Sequence, residues 1–578
     1  RAPCLSQSGY GEQSRFALRA LRSREDLFEI YIQPIPWGQT GWIWQDNEFR
    51  RWMDKRITET QVLIQQQKLK IDISLQITIP NEFEKIAPIN IGFTAGIETT
   101  KVAPQWLEKG NLMDKVLVVS NHARTSYENT VVPIKDNTGQ LQSYYMQKPI
   151  SVVWENTERI EPEPISGFDL DTDYNFLAVS QISPRKNFAN TLKWFVEEFH
   201  DENVGLVLKT NMAGNSLIDL EMTERSLKNI LSSYEGRKCK VILLHGDLSS
   251  GQMTWLYGHD KINSIINIAH GEGFGLPLFE AAREALPVVT IGWSGQVDFL
   301  NHNGKDYYTK VDYSLRPVQK ESVWDGVIQA DSMWAYADEK SYKNSLRKVY
   351  DNQEAAKNTA IELQEIINEK FNDEVLFKLF TSHFESPDNT VEDREFLEEM
   401  RDTIDVKNFK YLLLTKLNNH PDMKDKNKLL LDSFKNKECV ILTCGPSLND
   451  FSKEELEEKL QDKFVIAIKQ AYNKCPDLVD MHIFNCNNYE PYSYKENTPI
   501  VVGCSSMPYH DTINNIWGPN TELNLFYQVV TPGYSHALCN TGAFGDYDLS
   551  KTLDRPWGPG VMSESVLYLV KHMGFKTV

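Results

Sequence analysis

The sequence predicts an α/β protein built from several units, each a parallel sheet flanked by helices. Three observations lead there. Short apolar runs alternate with helical segments along most of the chain. Glycine-rich turns follow several of those runs. A length of 578 residues exceeds what one core holds and points to three or four domains.

Taken in order, apolar runs at residues 28–32, 71–77, 89–93 and 115–119 mark the strands of a first lobe over residues 1–165. Residues 159–168 are rich in proline and polar side chains and read as a linker. A second lobe, 166–385, has strands near 175–179, 204–209, 241–244, 264–268 and 287–291. Helices are expected between them, including 188–199 and 222–234, and residues 336–385 read as continuously helical and charged. Residues 386–430 form a helical, polar linker, and the Lys-rich stretch 416–436 suits a linker or a solvated helix. A third α/β unit, 431–578, opens on the apolar run after Glu438. It breaks off where a new strand begins at Phe575, so it reads as incomplete. The opening Arg-Ala-Pro-Cys, without Met or an apolar leader, likewise reads as a trimmed beginning.

The formal charge of −19 excludes a nucleic-acid backbone as the expected partner, since phosphates select Lys and Arg. No apolar run approaches the roughly 18 residues of a membrane span. Eight cysteines carry neither a CxxC pair nor zinc spacing. Disulfides are conceivable near the carboxyl end, but buried free thiols in a reducing cytoplasm fit better.

The most informative segment runs from Ile265 through Ala-His-Gly-Glu-Gly-Phe-Gly-Leu-Pro to Glu280. An apolar strand enters a loop with Gly271, Gly273 and Gly275, and a helix then opens with Pro277, where a proline's missing N–H costs nothing. Glycines let backbone approach a ligand, and helix N-terminal N–H groups favour a diphosphate. Glu272 and Glu280 stand eight positions apart, and a carboxylate accepts hydrogen bonds from neighbouring hydroxyls of a sugar or ribose. Taken singly, Glu280 is equally a first-turn acid complementing the helix dipole, and Glu272 a solvated loop carboxylate. Upstream, Val179-Ser-Gln-Ile-Ser-Pro-Arg-Lys-Asn ends a strand in a basic turn carrying Arg185 and Lys186. Two such cations can stabilise a departing phosphate without a metal. Lys209, at the end of another strand, is a third candidate cation. Asp169, Asp171 and Asp173 alternate in the interlobe linker and read as a solvated turn, so no metal site is expected.

The segment resembles the retaining glycosyltransferases of the GT-B fold, in particular the large fourth family with its Glu-x7-Glu signature, followed by Pro-Val-Val at 287–289 and Ser294-Gly295. The resemblance spans about residues 5–385. It implies two Rossmann-like lobes and hexosyl transfer from a nucleoside-diphosphate sugar to a glycan or glycolipid, with retention, without metal or cofactor, in polysaccharide assembly. By the same resemblance Glu280 binds the donor ribose, while Glu272 and the backbone of Gly273, Phe274, Gly275 and Leu276 hold the sugar. Arg185 and Lys186 meet the diphosphate. Ser8-Gly9-Tyr10-Gly11 resembles the glycine-rich loop between donor and acceptor, and Glu98 and His122 face the cleft. The rival class is a non-catalytic carbohydrate- or nucleotide-binding scaffold on the same fold.

In the last unit, Cys439-Val-Ile-Leu-Thr-Cys-Gly-Pro-Ser-Leu and the Gly-rich loop after Trp557 resemble bacterial sialyltransferases that use CMP-sugars and a pterin diphosphokinase-like family. This implies nucleotide contacts at Gly445, Ser447, Asn485, Asn487, Gly558 and Gly560, with a CMP-sugar as the second donor. Short glycine turns are common, so ordinary strand-turn-helix glycines are an equal reading there. The sugar, the base, the acceptor and the oligomeric state are left unassigned.

Overall fold

The structure is a computed structural model that describes residues 1–38, 40–44, 46–135, 141–384, 390–420, 423–485, 492, 494, 498–505, 523–528 and 562–578. The chain divides into two compact units, Arg1–Phe384 and Glu385–Val578.

Unit 1 holds two parallel α/β sheets, as the sequence predicts. The first contains β1 (Ile73–Ile77), β2 (Ile89–Thr94) and β3 (Lys115–Val118). A side hairpin of β4 (Val132–Lys135) and β5 (Leu141–Tyr144) leads to its fourth strand, β6 (Ile150–Val152). The order is β1-β2-β3-β6, all parallel. Helices α1 (Gly9–Arg22), α2 (Glu48–Gln65), α3 (Pro104–Leu112) and α4 (Asn121–Glu128) accompany it. Ser8 caps α1 by accepting from the Gly11 amide, and Ser120 caps α4 through Ala123.

The second sheet comprises β7 (Asn175–Val179), β8 (Gly205–Lys209), β9 (Lys240–Leu244), β10 (Ile262–Asn267) and β11 (Val288–Ile291). A short hairpin, β12 (Asn301–His302) with β13 (Lys305–Asp306), precedes its last strand, β14 (Thr309–Val311). The antiparallel pair β15 (Tyr313–Pro317) and β16 (Met333–Ala337) follows. Phe176, Leu177, Leu206, Val207, Leu208, Val288, Val289 and Ile291 are buried, because helices cover both faces of a parallel sheet and leave no alternation to read. Those helices are α5 (Phe188–Phe199), α6 (Leu217–Leu231), α7 (Ser250–Tyr257) and α8 (Leu276–Arg283), then α9 (Val297–Leu300), α10 (Glu339–Asp351), α11 (Gln353–Lys370) and α12 (Asp373–Thr381).

The strand order is β14-β11-β10-β7-β8-β9. From β7 the chain winds outward one way through β8 and β9, and from β10 the other way through β11 and β14. The reversal falls between β7 and β10, and open α/β sheets bind ligands at the carboxyl ends beside such a reversal.

Several expectations need correction. The continuous helix expected from 336 starts only at Glu339, because residues 336 and 337 end β16. Residues 28–32 form no strand: Ile30 and Ile32 pack into a cluster with Leu5, Leu18, Met53 and Ile57, and the Ile32 amide bonds the Thr60 hydroxyl instead of a neighbouring strand. The helix expected at 222–234 begins at Leu217, capped by Ser216.

Unit 2 is a second parallel α/β assembly. Strands β17 (Cys439–Leu442), β18 (Phe464–Ile468), β19 (Met481–Asn485), β20 (Ile500–Ser505) and β21 (Leu525–Gln528) pair in sequence order, and Glu438 bridges in parallel to Thr577. Helix α13 (Thr390–Arg401), α14 (Val406–Asn419) and α15 (Met423–Leu430) pack on one another, and α16 (Lys453–Leu460) follows β17. The Lys-rich stretch is not solvated at its start. Lys416 is 2% exposed, and its ammonium lies 2.6 Å from Asp393, which His420 also meets at 2.8 Å. A charge pattern alone does not show that an ion is neutralised inside the protein. Among the described residues Cys4, Cys239, Cys439, Cys444 and Cys475 are free thiols.

Candidate active site

Two loops leave the sheet on either side of the strand-order reversal and meet. From β7 the chain passes through Arg185 and Lys186 into Asn187, whose left-handed backbone (φ 50°) starts α5 and whose side-chain Nδ2 donates to the Ile268 carbonyl at 3.1 Å. From β10 it passes through Asn267 to Gly275, also left-handed (φ 94°), where α8 begins. A left-handed cap is the conformation glycine adopts without penalty. The Arg185 carbonyl accepts from the His270 amide at 2.8 Å, so the two loops are stitched through backbone.

Glu272 sits at the centre, 5% exposed. The Lys186 ammonium donates to both carboxylate oxygens at 2.7 Å, and Asn267 adds a bond at 2.8 Å. Arg185 donates to the Gly271 carbonyl at 2.8 Å and lies 3.4 Å from Glu272 and 3.1 Å from Glu98 of the first lobe. Burial would raise the Glu272 carboxyl, but Lys186 and Arg185 outweigh it and hold it near about 2. Burial dominates at Lys186 and lowers its pKa, partly offset by Glu272. At Arg185 burial is overcome by Glu98 and Glu272, and its pKa rises. The result is a preorganised anion flanked by two cations in a site largely shielded from water.

Backbone contacts keep the loop close to both neighbours. A Cβ on Gly273 would stand 2.8 Å from the Ala95 carbonyl, and one on Gly271 would stand 2.5 Å from that of Glu98. Gly295 is tighter still: its amide donates to the Glu272 carbonyl at 2.9 Å, and a Cβ there would meet the Gly273 carbonyl at 1.8 Å. Gly295→Ala is therefore expected to displace the 271–275 loop, costing at least about 1–3 kcal/mol of stability. A lowered melting temperature checks this, and an unperturbed variant would contradict it.

Phe274 is 2% exposed and packs on Phe279 and Phe299, so its side chain belongs to the core while its backbone faces the loop. Leu276 is the first residue of α8. Gly11 lies against the Ser6 carbonyl, whereas nothing approaches within 4 Å of a Cβ on Gly9. Lys209 turns away and donates to the Gly246 carbonyl at 2.7 Å, with burial lowering its pKa. His122 touches Trp293 edge-on with ring centroids 4.7 Å apart, and its Nε2 has no partner among the described residues. Asp169, Asp171 and Asp173 are exposed.

Glu280 keeps different company. Its carboxylate accepts from the Tyr257 hydroxyl at 3.1 Å, inside a cavity of about 200 Å³ that Glu12, Arg15, Arg19, Leu248, Met253 and Arg283 also line. Burial, then Glu12, push its carboxyl up to about 7 against the pull of Arg283. Because the folded chain keeps a proton that the unfolded chain sheds from about 4.5 upward, this group makes stability fall as pH rises towards about 7. Glu280→Gln is expected to remove its share of that fall and to melt above wild type at pH 8. Equal melting temperatures at pH 8 would contradict it.

Sequence reading missed Asn267, which bonds the Glu272 carboxylate, and Tyr257, which bonds Glu280. Ser294 was visible as part of a motif. Its hydroxyl accepts from the Glu272 amide at 2.9 Å while its own backbone is left-handed at φ 76°. In unit 2, Gly445 and exposed Ser447 lie just beyond the carboxyl end of β17, and Asn485 ends β19. Asn487, Gly558 and Gly560 lie outside the described residues.

No family model and no curated protein matches the sequence. Among solved structures, TarM of S. aureus, crystallised as a mutant with UDP, fondaparinux and α-GlcNAc-glycerol, is similar at a TM-score of 0.34 and 13% identity, over 52% of this chain and 51% of that one. The pneumococcal O-GlcNAc transferase GtfA, in complex with UDP and GlcNAc, gives 0.34 and 12% over 55% and 58%. Sucrose-phosphate synthase from Thermosynechococcus elongatus gives 0.37 and 13% over 52% and 68%. The chain thus spans about half the length of the TarM chain it matches.

Proposed function

We propose that unit 1 transfers a hexosyl group from a nucleoside-diphosphate sugar to a glycan or glycolipid acceptor, with retention and without a metal. One observation carries the reading: Glu272, Lys186 and Arg185 converge at the carboxyl ends of β7 and β10, where the strand order reverses. A diphosphate entering there meets Lys186, the N–H groups of the 273–276 loop and the N-terminus of α8, all of which favour negative charge.

In this reading the bond between the anomeric carbon and the diphosphate oxygen breaks, and the nucleoside diphosphate leaves with the electron pair. Lys186 and Arg185 stabilise the developing charge, and being held beforehand they need little reorganisation. The acceptor hydroxyl oxygen bonds the anomeric carbon, and its proton goes to the departing phosphate. Glu272, ionised throughout the physiological range, accepts hydrogen bonds from the sugar hydroxyls. Glu280 accepts from the ribose. Arg185 also bridges to Glu98 and so fixes the catalytic loop against the first lobe.

We read unit 2 as a nucleotide-binding transferase-like unit, with Gly445 and Ser447 at the nucleotide and a CMP-sugar as its donor. Together the two would suit polysaccharide assembly in the cytoplasm. A thermal-shift screen of the full chain against UDP-, GDP-, ADP-, dTDP- and CMP-sugars tests the reading, because a ligand that binds the folded state raises its melting temperature by mass action. Selective stabilisation by a nucleoside-diphosphate sugar is expected. Indifference to all of them would refute donor binding.

A further inference from the structure

We propose that Trp42 and Trp44 of unit 1 form an acceptor platform, against which a neutral oligosaccharide stacks and is led past Trp37 towards the transfer site. The inference rests on the glycosyl-transfer reading for its purpose, and on separate residues for its geometry.

Trp42 is 61% exposed and Trp44 is 94% exposed, while Ile43 between them is 8% exposed. Buried Ile43 lies between two exposed neighbours, the alternation of a segment that turns one face to the protein and the other to solvent. The segment is anchored. Trp42 bridges antiparallel to Ser6, the Ile43 amide donates to the Leu5 carbonyl at 2.9 Å, and the Gln7 amide donates to the Gly41 carbonyl at 2.8 Å. Ile43 joins the apolar cluster with Leu5, Met53 and Ile57. Two indoles are thus presented to solvent by backbone that is itself tied down.

The segment adjoins the catalytic loop through a chain of contacts. Trp37 packs on Tyr10 with ring centroids 4.3 Å apart. The Tyr10 hydroxyl bonds Thr94 at 2.7 Å and accepts from the Ala95 amide at 3.3 Å. The Ala95 carbonyl faces Gly273 in the loop beside Glu272.

The chemistry favours a sugar over other occupants. A pyranose offers an apolar C–H face to an aromatic ring and hydroxyls at its rim, and the Thr40 hydroxyl and the Gln7 side chain lie at the base of the segment. The nearby charges, Arg51 with Asp46 and Arg50 with Asp54, are paired. They offer no excess of positive charge for an anionic surface.

The test uses the full chain with Trp42→Ala, Trp44→Ala and the double replacement. Trp324→Ala, which removes another exposed indole of unit 1, is the control. Maltopentaose, cellopentaose and chitopentaose serve as probes, with indole fluorescence reading binding and initial rates reading transfer. At least one probe is expected to change the fluorescence of the wild type and of the control, and the double replacement should abolish that response. Acceptor KM should rise roughly tenfold, as for the loss of one or two stacking contacts. Donor KM, donor hydrolysis without acceptor and melting temperature should stay within error, because the replaced rings are solvent-exposed. Unaltered acceptor KM, or no fluorescence response to any probe, would overturn the platform. So would a fall in oligomeric state on replacement, which would make the face a protein interface. If probes bind through these indoles but no nucleotide sugar is turned over, the platform stands and the transfer reading fails.

Discussion

Lys186→Ala is expected to lower turnover by roughly two to three orders of magnitude, the scale seen when one preorganised charge-stabilising donor is removed. It should also destabilise unit 1 by roughly 3–5 kcal/mol, because Glu272 is left as a buried carboxylate without its main partner. Arg185, 3.4 Å away and committed to Gly271 and Glu98, cannot replace a contact made to both carboxylate oxygens. The carboxyl now held near about 2 should then climb, since burial is the largest influence on it and acts upward. Adding Arg185→Ala should deepen both losses. The two effects separate in the Lys186→Ala, Glu272→Gln pair, where removing both charges should restore much of the melting temperature and none of the activity. Full activity in Lys186→Ala would refute the assignment of this lysine to the departing phosphate.

Replacing the two glutamates should split the kinetic constants. Glu272→Gln is expected to reduce kcat about a hundredfold while donor affinity changes little, because the proposed mechanism sets it against the sugar, where charge develops. The same change leaves the buried Lys186 short of its counterion, which adds a loss of stability. Glu280→Gln should do the opposite. The ribose that the proposed mechanism sets against Glu280 changes little during reaction, so losing the carboxyl there should weaken donor binding by roughly tenfold and leave kcat near wild type. Steady-state kinetics with varied donor, checked by direct titration of the nucleoside diphosphate, distinguishes the patterns. The reverse split would mean that the roles are exchanged.

Much of this arrangement was legible in the sequence, because it is written in local signals. Strand β7 and helix α5 coincide with the expected bounds, since a buried parallel strand is a continuous apolar run and the helix after it repeats its apolar face with helical period. The loop from Gly271 to Gly275 was legible because glycines and a first-turn proline signal backbone that no other residue types would choose. What stayed hidden is set by distant partners. Nothing near Glu280 in sequence reveals Glu12, which helps raise its carboxyl to about 7. The direct pairing of Lys186 with Glu272 could not be read either, since two motifs that each suggest a ligand can also neutralise one another. The run at 28–32 looked like a strand because burial alone makes residues apolar, whether or not backbone pairing follows. Lys416 was misread for the complementary reason: a charged side chain near 2% exposure looks like a solvated one until Asp393 is seen beside it.

The central claim is that unit 1 breaks the bond between a sugar and a nucleoside diphosphate at Glu272, Lys186 and Arg185. The measurement that tests it most directly is release of nucleoside diphosphate from the stabilising nucleotide sugar, followed in the full chain with and without an oligosaccharide acceptor. The expected result is slow release of the diphosphate alone, faster release with acceptor matched by a sugar gained on that acceptor, and neither in Lys186→Ala. Tight binding of the nucleotide sugar with no diphosphate released under either condition would contradict the account and leave unit 1 a binding scaffold.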